Sequence, residues 1–339
     1  MNPLHEIRRP IPCVYPILRF AIDKGIGSAS LLEGTGLEEK DLLDPRKDIS
    51  LDQELSIIRN LITLAPEPEI AWELGGYFNA RAHGALGSLV ATAPTIGQII
   101  YSIIEYITIS NSYFRLHSES KGKVLRVFLM ENHIPGDLLP FLVERDLVAG
   151  KTTIDNQLPG KIDEIVLGVS FGYAPRTDME KYRKVFVKNV AFNQPMTVID
   201  VDQSALSMPI NQGNPREFEL FRQQCQAEMA LRSKEFLFLS DRIRLCLQAE
   251  NGRIGLEQVA SQLSMSERSL RRHLKKEGIS FRAIRNQYFF QQSLNLLRNP
   301  KLQIEEIADM LGYSEPSAFS RAFQKWAGIP PGEYRKTVL

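Results

Sequence analysis

The chain has 339 residues, of which 43% are hydrophobic and 24% are charged. This length and composition predict about two folded domains and exclude a disordered chain. No apolar run reaches about 18 residues, and the basic N-terminus lacks an apolar core, so neither a membrane span nor a signal peptide is expected. The cysteines (Cys13, Cys225 and Cys246) have no metal or disulfide spacing, which indicates reduced thiols in a cytoplasmic protein.

The net charge of +1 is unevenly distributed along the chain. Residues 236–339 hold 16 Lys and Arg against 10 Asp and Glu, a net charge of +6, and positions 1–235 have a net charge of −5. A basic final third indicates a polyanionic partner such as DNA for that part alone.

Positions 1–110 are predicted to be mostly helical. Apolar residues at helical spacing predict a helix at 13–22, with Ile22 inward, and a short helix that Ser28 caps. Further helices are predicted from Ser50 onward and at 70–78 and 95–109.

After residue 112 the apolar residues alternate. The pattern predicts a hairpin of strands 113–117 and 124–130 around Gly122. It continues with a helix (138–157), a strand (164–171), a helix (179–187) and further strand at 190–192 and 196–201. Helices followed by β-β-α-β-α-β predict an α+β domain with a small antiparallel sheet.

A predicted helix at 215–234 follows the turn residues 211–215. Its apolar stripe consists of Phe218, Phe221, Cys225 and Met229. Two interpretations remain open: the stripe packs on the N-terminal domain of the same chain, or it helps two chains to dimerise.

A helix, a tight turn and a second helix are predicted between Ile304 and Arg335. Gly312 is placed at the turn, Ser314 at the N-cap and Pro316 in the first turn of the second helix. The first helix has an apolar stripe of Ile304, Ile307, Ala308 and Leu311. The second has an inward face of Ala318, Phe319, Ala322, Phe323 and Trp326, and an outward face of Glu315, Ser317, Ser320, Arg321, Gln324 and Lys325. This arrangement is a helix-turn-helix with an outward face suited to a DNA major groove.

The stretch from Leu256 to Phe281 repeats this unit. The stripe Leu256, Val259, Ala260 and Leu263 has the same internal spacing as Ile304, Ile307, Ala308 and Leu311. Ser266 then corresponds to Ser314 and, with one residue inserted at Ala318, Leu270, Arg272 and Leu274 correspond to Phe319, Arg321 and Phe323. Gly278-Ile279 corresponds to Gly328-Ile329. Such an internal repeat indicates a duplicated unit.

Residues 236–339, and above all ADMLGYSEPSAFSRAFQKWAGIPPGEYR, resemble the DNA-binding domain of the AraC/XylS family of bacterial transcription regulators. The resemblance implies seven helices, with a long central helix (281–297) between the two helix-turn-helix units. It also implies a separate N-terminal domain for effector binding or dimerisation. The N-terminal part resembles the arabinose-binding type found in ornithine-utilisation and VirS-like regulators, which is related in shape to haem-NO-binding domains.

The expected DNA contacts lie on the two recognition helices, at about 266–276 and 315–326. Base-edge roles are assigned to Arg268, Ser269, Arg272, Ser317, Ser320 and Arg321. Phosphate or supporting roles are assigned to Arg271, Lys275, Lys276, Gln324 and Lys325. Arginine can bind guanine in a bidentate fashion or neutralise a phosphate, and the sequence leaves both open.

Other chemistry finds little support in the sequence. The five histidines lack metal-ligand spacing, and only the distant shape relation suggests haem at His83 or His117. No phosphate loop or nucleophile elbow is present, so no cofactor and no catalytic residue is expected. The small-residue run Gly84–Ser88 is explained either by close helix packing or by the wall of an effector cavity.

We therefore expect a cytoplasmic DNA-binding transcription regulator, not an enzyme, that responds to a ligand and, as the family resemblance implies, activates transcription. The predicted parts are a regulatory domain (1–205), a linker helix (206–235) and a DNA-binding domain (236–339). Expected partners are double-stranded promoter DNA, a small effector of amphipathic character, a second copy of the chain and, by resemblance, RNA polymerase. The alternatives are a constitutive regulator, or an enzyme-like or redox-sensing domain in which Cys13 is the reactive thiol.

Overall fold

The computed structural model describes residues 7–131, 134–232, 239–276, 280–297, 299–327 and 330–338. The α-helices are α1 (Tyr15–Asp23), α2 (Ser28–Leu32), α3 (Leu51–Leu64), α4 (Ile70–Gly75), α5 (Gly84–Ala91), α6 (Ile96–Tyr106), α7 (Leu139–Gln157), α8 (Ile162–Ile165), α9 (Met179–Val185), α10 (Pro215–Arg232), α11 (Leu239–Ala249), α12 (Leu256–Gln262), α13 (Glu267–Lys276), α14 (Phe281–Leu297), α15 (Ile304–Met310), α16 (Pro316–Ala327) and α17 (Pro331–Val338). The strands are β1 (Arg8–Pro10), β2 (Asp48–Ser50), β3 (Phe114–Lys121), β4 (Val124–Glu131), β5 (Val166–Ser170), β6 (Val190–Ala191) and β7 (Val198–Asp202).

The N-terminal part is an α+β fold around a five-stranded sheet, as predicted. The strand order is β3-β4-β7-β5-β6, and the neighbouring strands are antiparallel except for the parallel pair β5–β6. The predicted hairpin is present, with Lys121 opposite Val124 and Gly122 at a φ of +63° in the turn. Strands β1 and β2 form a separate ribbon that the sequence did not predict.

Side-chain caps fix the starts of two predicted helices. Ser50 caps α3 in a reciprocal capping box: the Gln53 amide donates to Ser50 Oγ at 3.1 Å, and the Ser50 amide donates to Gln53 Oε1 at 2.9 Å. Thr95 caps α6, since its Oγ1 accepts from the Gln98 amide at 3.2 Å.

Two predictions in the first helices were wrong. Ser28 is the first residue of α2 rather than its cap, because Gly27 precedes the helix and the Ser28 hydroxyl bonds Glu39 instead. Ile22 is 67% exposed, because it lies near the end of α1 beyond the face that packs inward.

Helix α10 packs on the N-terminal part of its own chain. Phe218 and Cys225 are buried, α10 lies against α5, and Met229 Sδ approaches Thr108 Oγ1 at 3.9 Å. The first interpretation of the apolar stripe is thus confirmed. The predicted end of this helix, Lys234, lies outside the described residues.

The described part of the chain from Leu239 onward is all-helical and contains both predicted helix-turn-helix units, α12–α13 and α15–α16. Central helix α14 has the predicted bounds and belongs to two hydrophobic cores. Its Ile284 packs in the core of the first unit, whereas Phe290 and Leu294 lie in a core that is continuous with the N-terminal domain.

The turn of the second unit differs from the prediction. Helix α16 begins at Pro316, so Glu315 rather than Ser314 immediately precedes it. Helices α12 and α15 are equivalent in the two units, as are α13 and α16. The sequence separation between the starts of α13 and α16 is one position larger than that between the starts of α12 and α15. The extra residue therefore lies in the turn and not at Ala318. A turn accommodates an insertion without rotating the buried face of a helix, which an insertion inside α16 would do. The Gly278-Ile279 and Gly328-Ile329 correspondence lies outside the described residues.

Candidate DNA-binding surface and effector cavity

Helix α13 presents a basic face to solvent. Four of its predicted contact residues are exposed: Arg268, Arg271, Arg272 and Lys275. Ser269 is partly buried, and its carbonyl oxygen accepts a hydrogen bond from His273 Nδ1 at 2.7 Å. The side chain of Lys276 lies outside the described residues. Leu270 and Leu274 are buried on the opposite face, so the amphipathic pattern orients the basic face outward.

Helix α16 has the corresponding polar face. Four of its predicted contact residues are exposed: Ser317, Arg321, Gln324 and Lys325. Ser320 is partly buried, and Phe319 and Phe323 are fully buried. Arg321 follows the buried Phe319 by two positions, as Arg272 follows the buried Leu270 in α13. The two arginines therefore occupy equivalent places in the two units.

The same turn geometry precedes both recognition helices. In the first unit, the Met265 amide donates to Ala260 O at 2.8 Å, and in the second the Tyr313 amide donates to Ala308 O at 2.9 Å. Ser264 and Gly312 occupy the left-handed position of these turns, with φ values of +55° and +78°. The sequence predicted this for Gly312 and missed it for Ser264.

A cavity of about 180 Å³ lies between the sheet and helices α5, α6 and α7. Its wall is mostly apolar and includes Leu86, Ile100, Ile103, Ile104, Leu129 and Ile154. Gly87 belongs to this wall and also allows close packing, because a Cβ at Gly87 would lie 1.6 Å from Ala80 O. Gly87 therefore packs closely against Ala80 and also lines the cavity.

His83, Ser112 and Asp146 are polar residues of this wall. His83 Nε2 lies 3.1 Å from Phe78 O, and its Nδ1 is buried without a hydrogen-bond partner among the described residues. Asp146 Oδ2 accepts from Ser112 Oγ at 2.6 Å, and Asp146 Oδ1 accepts from Arg145 Nε at 2.8 Å. Burial lowers the pKa of His83, an effect that nearby Asp146 partly offsets.

Comparison with known proteins matches both parts of the chain to family models. Residues 25–210, more than half of the chain, match the arabinose-binding domain of AraC transcription regulators, and residues 259–337 match a helix-turn-helix domain. The chain belongs to the AraC family of transcription regulators. It is a DNA-binding regulator with an α+β N-terminal domain and a helical C-terminal region.

Similar AraC-family proteins match this chain over nearly its whole length. An uncharacterized HTH-type transcriptional regulator from Mycobacterium tuberculosis is 27% identical, over 99% of this chain and 98% of its own. The ornithine utilization regulator of Pseudomonas aeruginosa is 28% identical, over 99% of both chains. The crystal structure of the regulator CdpR from Pseudomonas aeruginosa has 20% identity and a TM-score of 0.46, over 95% of this chain and 96% of its own.

Helix α6 connects the cavity of this AraC-family regulator to the central helix α14. Ile100, Ile103 and Ile104 of α6 line the cavity. Tyr101 of the same helix is buried, and its ring packs edge-on against Phe290 of α14, with the ring centroids 5.9 Å apart. The sequence predicted helix α6 but gave no sign of this contact, because Phe290 is distant in sequence.

A groove of about 750 Å³ lies between the first helix-turn-helix unit and the sheet. Arg271 and Lys275 of α13 line one side, and His117 and Glu119 of edge strand β3 line the other. These two basic residues thus face the N-terminal domain, whereas Arg268 and Arg272 do not line the groove.

The thiol at Cys13 is poorly suited to redox sensing. Its side chain is buried, and burial raises its pKa well above the ordinary value, so the thiol stays protonated at neutral pH. All three cysteines are free. Within the described ranges, no group of three or more His, Cys, Asp and Glu could hold a metal ion, and no helix is long and apolar enough to cross a bilayer.

Proposed function

We propose that this regulator is a cytoplasmic homodimer that activates promoters, with RNA polymerase as a partner, in response to a small molecule bound in the cavity. In this proposal residues 1–205 form the effector domain, 206–235 the linker helix and 236–339 the DNA-binding domain. Helices α13 and α16 enter successive major grooves on one face of the DNA.

The observation that carries the DNA-binding part is the equivalence of the two recognition helices across α14. Each helix is anchored by a buried residue, Leu270 or Phe319, and each presents an exposed arginine two positions later. Because α14 takes part in both cores, it fixes the spacing of the two units. Two recognition helices whose separation is about one turn of DNA, roughly 34 Å, can enter adjacent major grooves.

The cavity and helix α6 support the effector part of the proposal. A molecule in the cavity touches Ile100, Ile103 and Ile104, on the helix whose Tyr101 packs against Phe290 of α14. Binding that shifts α6 therefore favours one arrangement of the two domains over another. Regulation requires such a difference in affinity between the two states.

Selection of bound DNA from a random library tests the DNA-binding part. The full-length chain is expected to select two half-sites whose centres are about 10 base pairs apart. Arg272→Ala should relax the sequence preference at one half-site only, and Arg321→Ala at the other only. A single half-site, or loss of preference at the same half-site in both variants, would contradict the proposed arrangement.

A further inference from the structure

We propose that the cavity takes a compact, neutral and mostly apolar molecule with one hydrogen-bond donor, such as an alcohol or a phenol, and that His83 accepts from that donor, with Asp146 as a further acceptor on the same wall. The inference rests on the proposed effector function and names the chemical class of the effector. It excludes amino acids and fatty acids as effectors, because both carry a carboxylate at neutral pH.

His83 supplies one acceptor. A carbonyl oxygen can only accept a hydrogen bond, so Nε2 carries the proton and donates to Phe78 O at 3.1 Å. The lowered pKa keeps the imidazole neutral, which leaves Nδ1 as a bare acceptor. Nδ1 is buried, and no described residue donates to it. A buried acceptor without a donor is costly, and a ligand hydroxyl removes that cost.

Asp146 supplies the second acceptor on the same wall. It accepts from Arg145 through Oδ1 and from Ser112 through Oδ2, at 2.8 and 2.6 Å, and its side chain remains 15% exposed. A carboxylate oxygen has two lone pairs, so Oδ2 can accept from one more donor. His83 therefore lacks a donor, and Asp146 can accept from one more.

Charge excludes ionised ligands. The fully buried Arg145 already neutralises Asp146, so an added cation would be buried without a counterion. An added carboxylate would face Asp146. The described cavity wall also contains Lys151, but its Nζ pairs with Asp155 Oδ2 at 3.3 Å. A neutral ligand that carries a hydrogen-bond donor avoids both the cost of a buried cation and the repulsion from Asp146.

The size and lining of the cavity limit the rest of the molecule. An apolar cavity of about 150 Å³ holds a benzene ring, so about 180 Å³ suits a ring with a short substituent. The isoleucine-rich wall offers apolar contact to that ring. Benzyl alcohol, toluene and benzoate have similar sizes and differ at the substituent, which makes them matched probes.

The test is calorimetric titration of the full-length chain with these three compounds. Without a hydrogen-bond partner in the cavity, the buried hydroxyl would make benzyl alcohol bind about tenfold more weakly than toluene. Because the proposal gives the hydroxyl a partner, benzyl alcohol should bind at least as tightly as toluene. Benzoate should bind at least tenfold more weakly than either. Benzoate as the tightest ligand, or no binding of any probe, would overturn the proposal.

Two substitutions locate the binding. Gly150 lines the cavity and a Cβ there would meet no atom within 4 Å, so Gly150→Leu can occupy the space and should abolish binding, with Gly150→Ala as the matched control. His83→Phe keeps a ring and removes Nδ1, so it should weaken benzyl alcohol about tenfold and leave toluene unchanged. Equal effects on both ligands would contradict the role of His83. If His83→Phe does not fold, the order of affinity of the three probes and the effect of Gly150→Leu test the proposal instead.

A separate measurement of DNA affinity keeps this proposal apart from the proposed function. Benzyl alcohol that binds without changing DNA affinity supports the ligand class and contradicts the sensor. Benzoate that binds best and changes DNA affinity overturns the ligand class and leaves the sensor intact.

Discussion

Arg272 and Arg321 occupy equivalent exposed positions on helices α13 and α16, and neither side chain is part of the hydrophobic core. Each lies opposite a buried anchor, so truncation to alanine removes little packing, and in the proposed arrangement it removes a DNA contact. We expect each substitution to weaken binding to the selected DNA by roughly 1–3 kcal/mol, measured by fluorescence anisotropy. The melting temperature of the protein should not change.

The matched control for both arginine variants is Arg216→Ala, which removes the same charge from an exposed position on α10. This control should bind DNA like the parent chain at equal ionic strength. If Arg216→Ala weakened binding as much as the other two variants, the effect would report net charge rather than a local contact.

Ser264 and Gly312 give a paired prediction about stability. Both occupy the left-handed position of equivalent turns, where a Cβ is strained and glycine is not. Ser264→Gly should raise the free energy of unfolding by up to about 1 kcal/mol, and Gly312→Ala should lower it by about 1 kcal/mol. Chemical denaturation checks both signs, and a stabilising Gly312→Ala would contradict this assignment of the turn.

At the scale of elements, helices were predicted best where a capping residue and a long stretch of apolar residues at helical spacing occur together. Helix α14 and the cap of α3 are examples, because their signals are local. The β1–β2 ribbon was not predicted because it has only three paired positions and joins residues as distant in sequence as Arg8 and Ser50.

The outward faces of α13 and α16 followed from helical periodicity, because the period alone fixes which side is buried. The cavity did not follow from the sequence. Its wall joins residues as distant as His83 and Asp146, and neither stands in a recognisable motif.

Helix α10 carries a second face that its own chain leaves open. Leu220 and Leu231 are 61% and 83% exposed, and they lie three turns apart on the side away from Phe218. If this face forms the dimer contact, Leu220→Glu with Leu231→Glu should shift the chain from dimer to monomer in sedimentation velocity. Leu43→Glu, at another position that is 83% exposed, should leave the dimer unchanged. A dimer that survives the double substitution would place the contact elsewhere.

At the scale of the whole molecule, the two helix-turn-helix units are attached differently. The core of the second unit is continuous with that of the N-terminal domain, whereas the first unit has its own core. The groove beside Arg271 and Lys275 leaves further space between the first unit and the sheet. Tyr101 of α6 contacts the core of the second unit at Phe290, and the first unit shares α14 with that core.

Tyr101 is the residue at which this asymmetry can be measured. Its ring packs against Phe290, so Tyr101→Ala should loosen the second unit from the N-terminal domain. We expect faster amide hydrogen exchange in α16, and little change in α13 because the core of the first unit is separate. Tyr101→Phe keeps the ring and should exchange like the parent chain. Equal acceleration in both recognition helices would mean that the two units are attached to the effector domain in the same way.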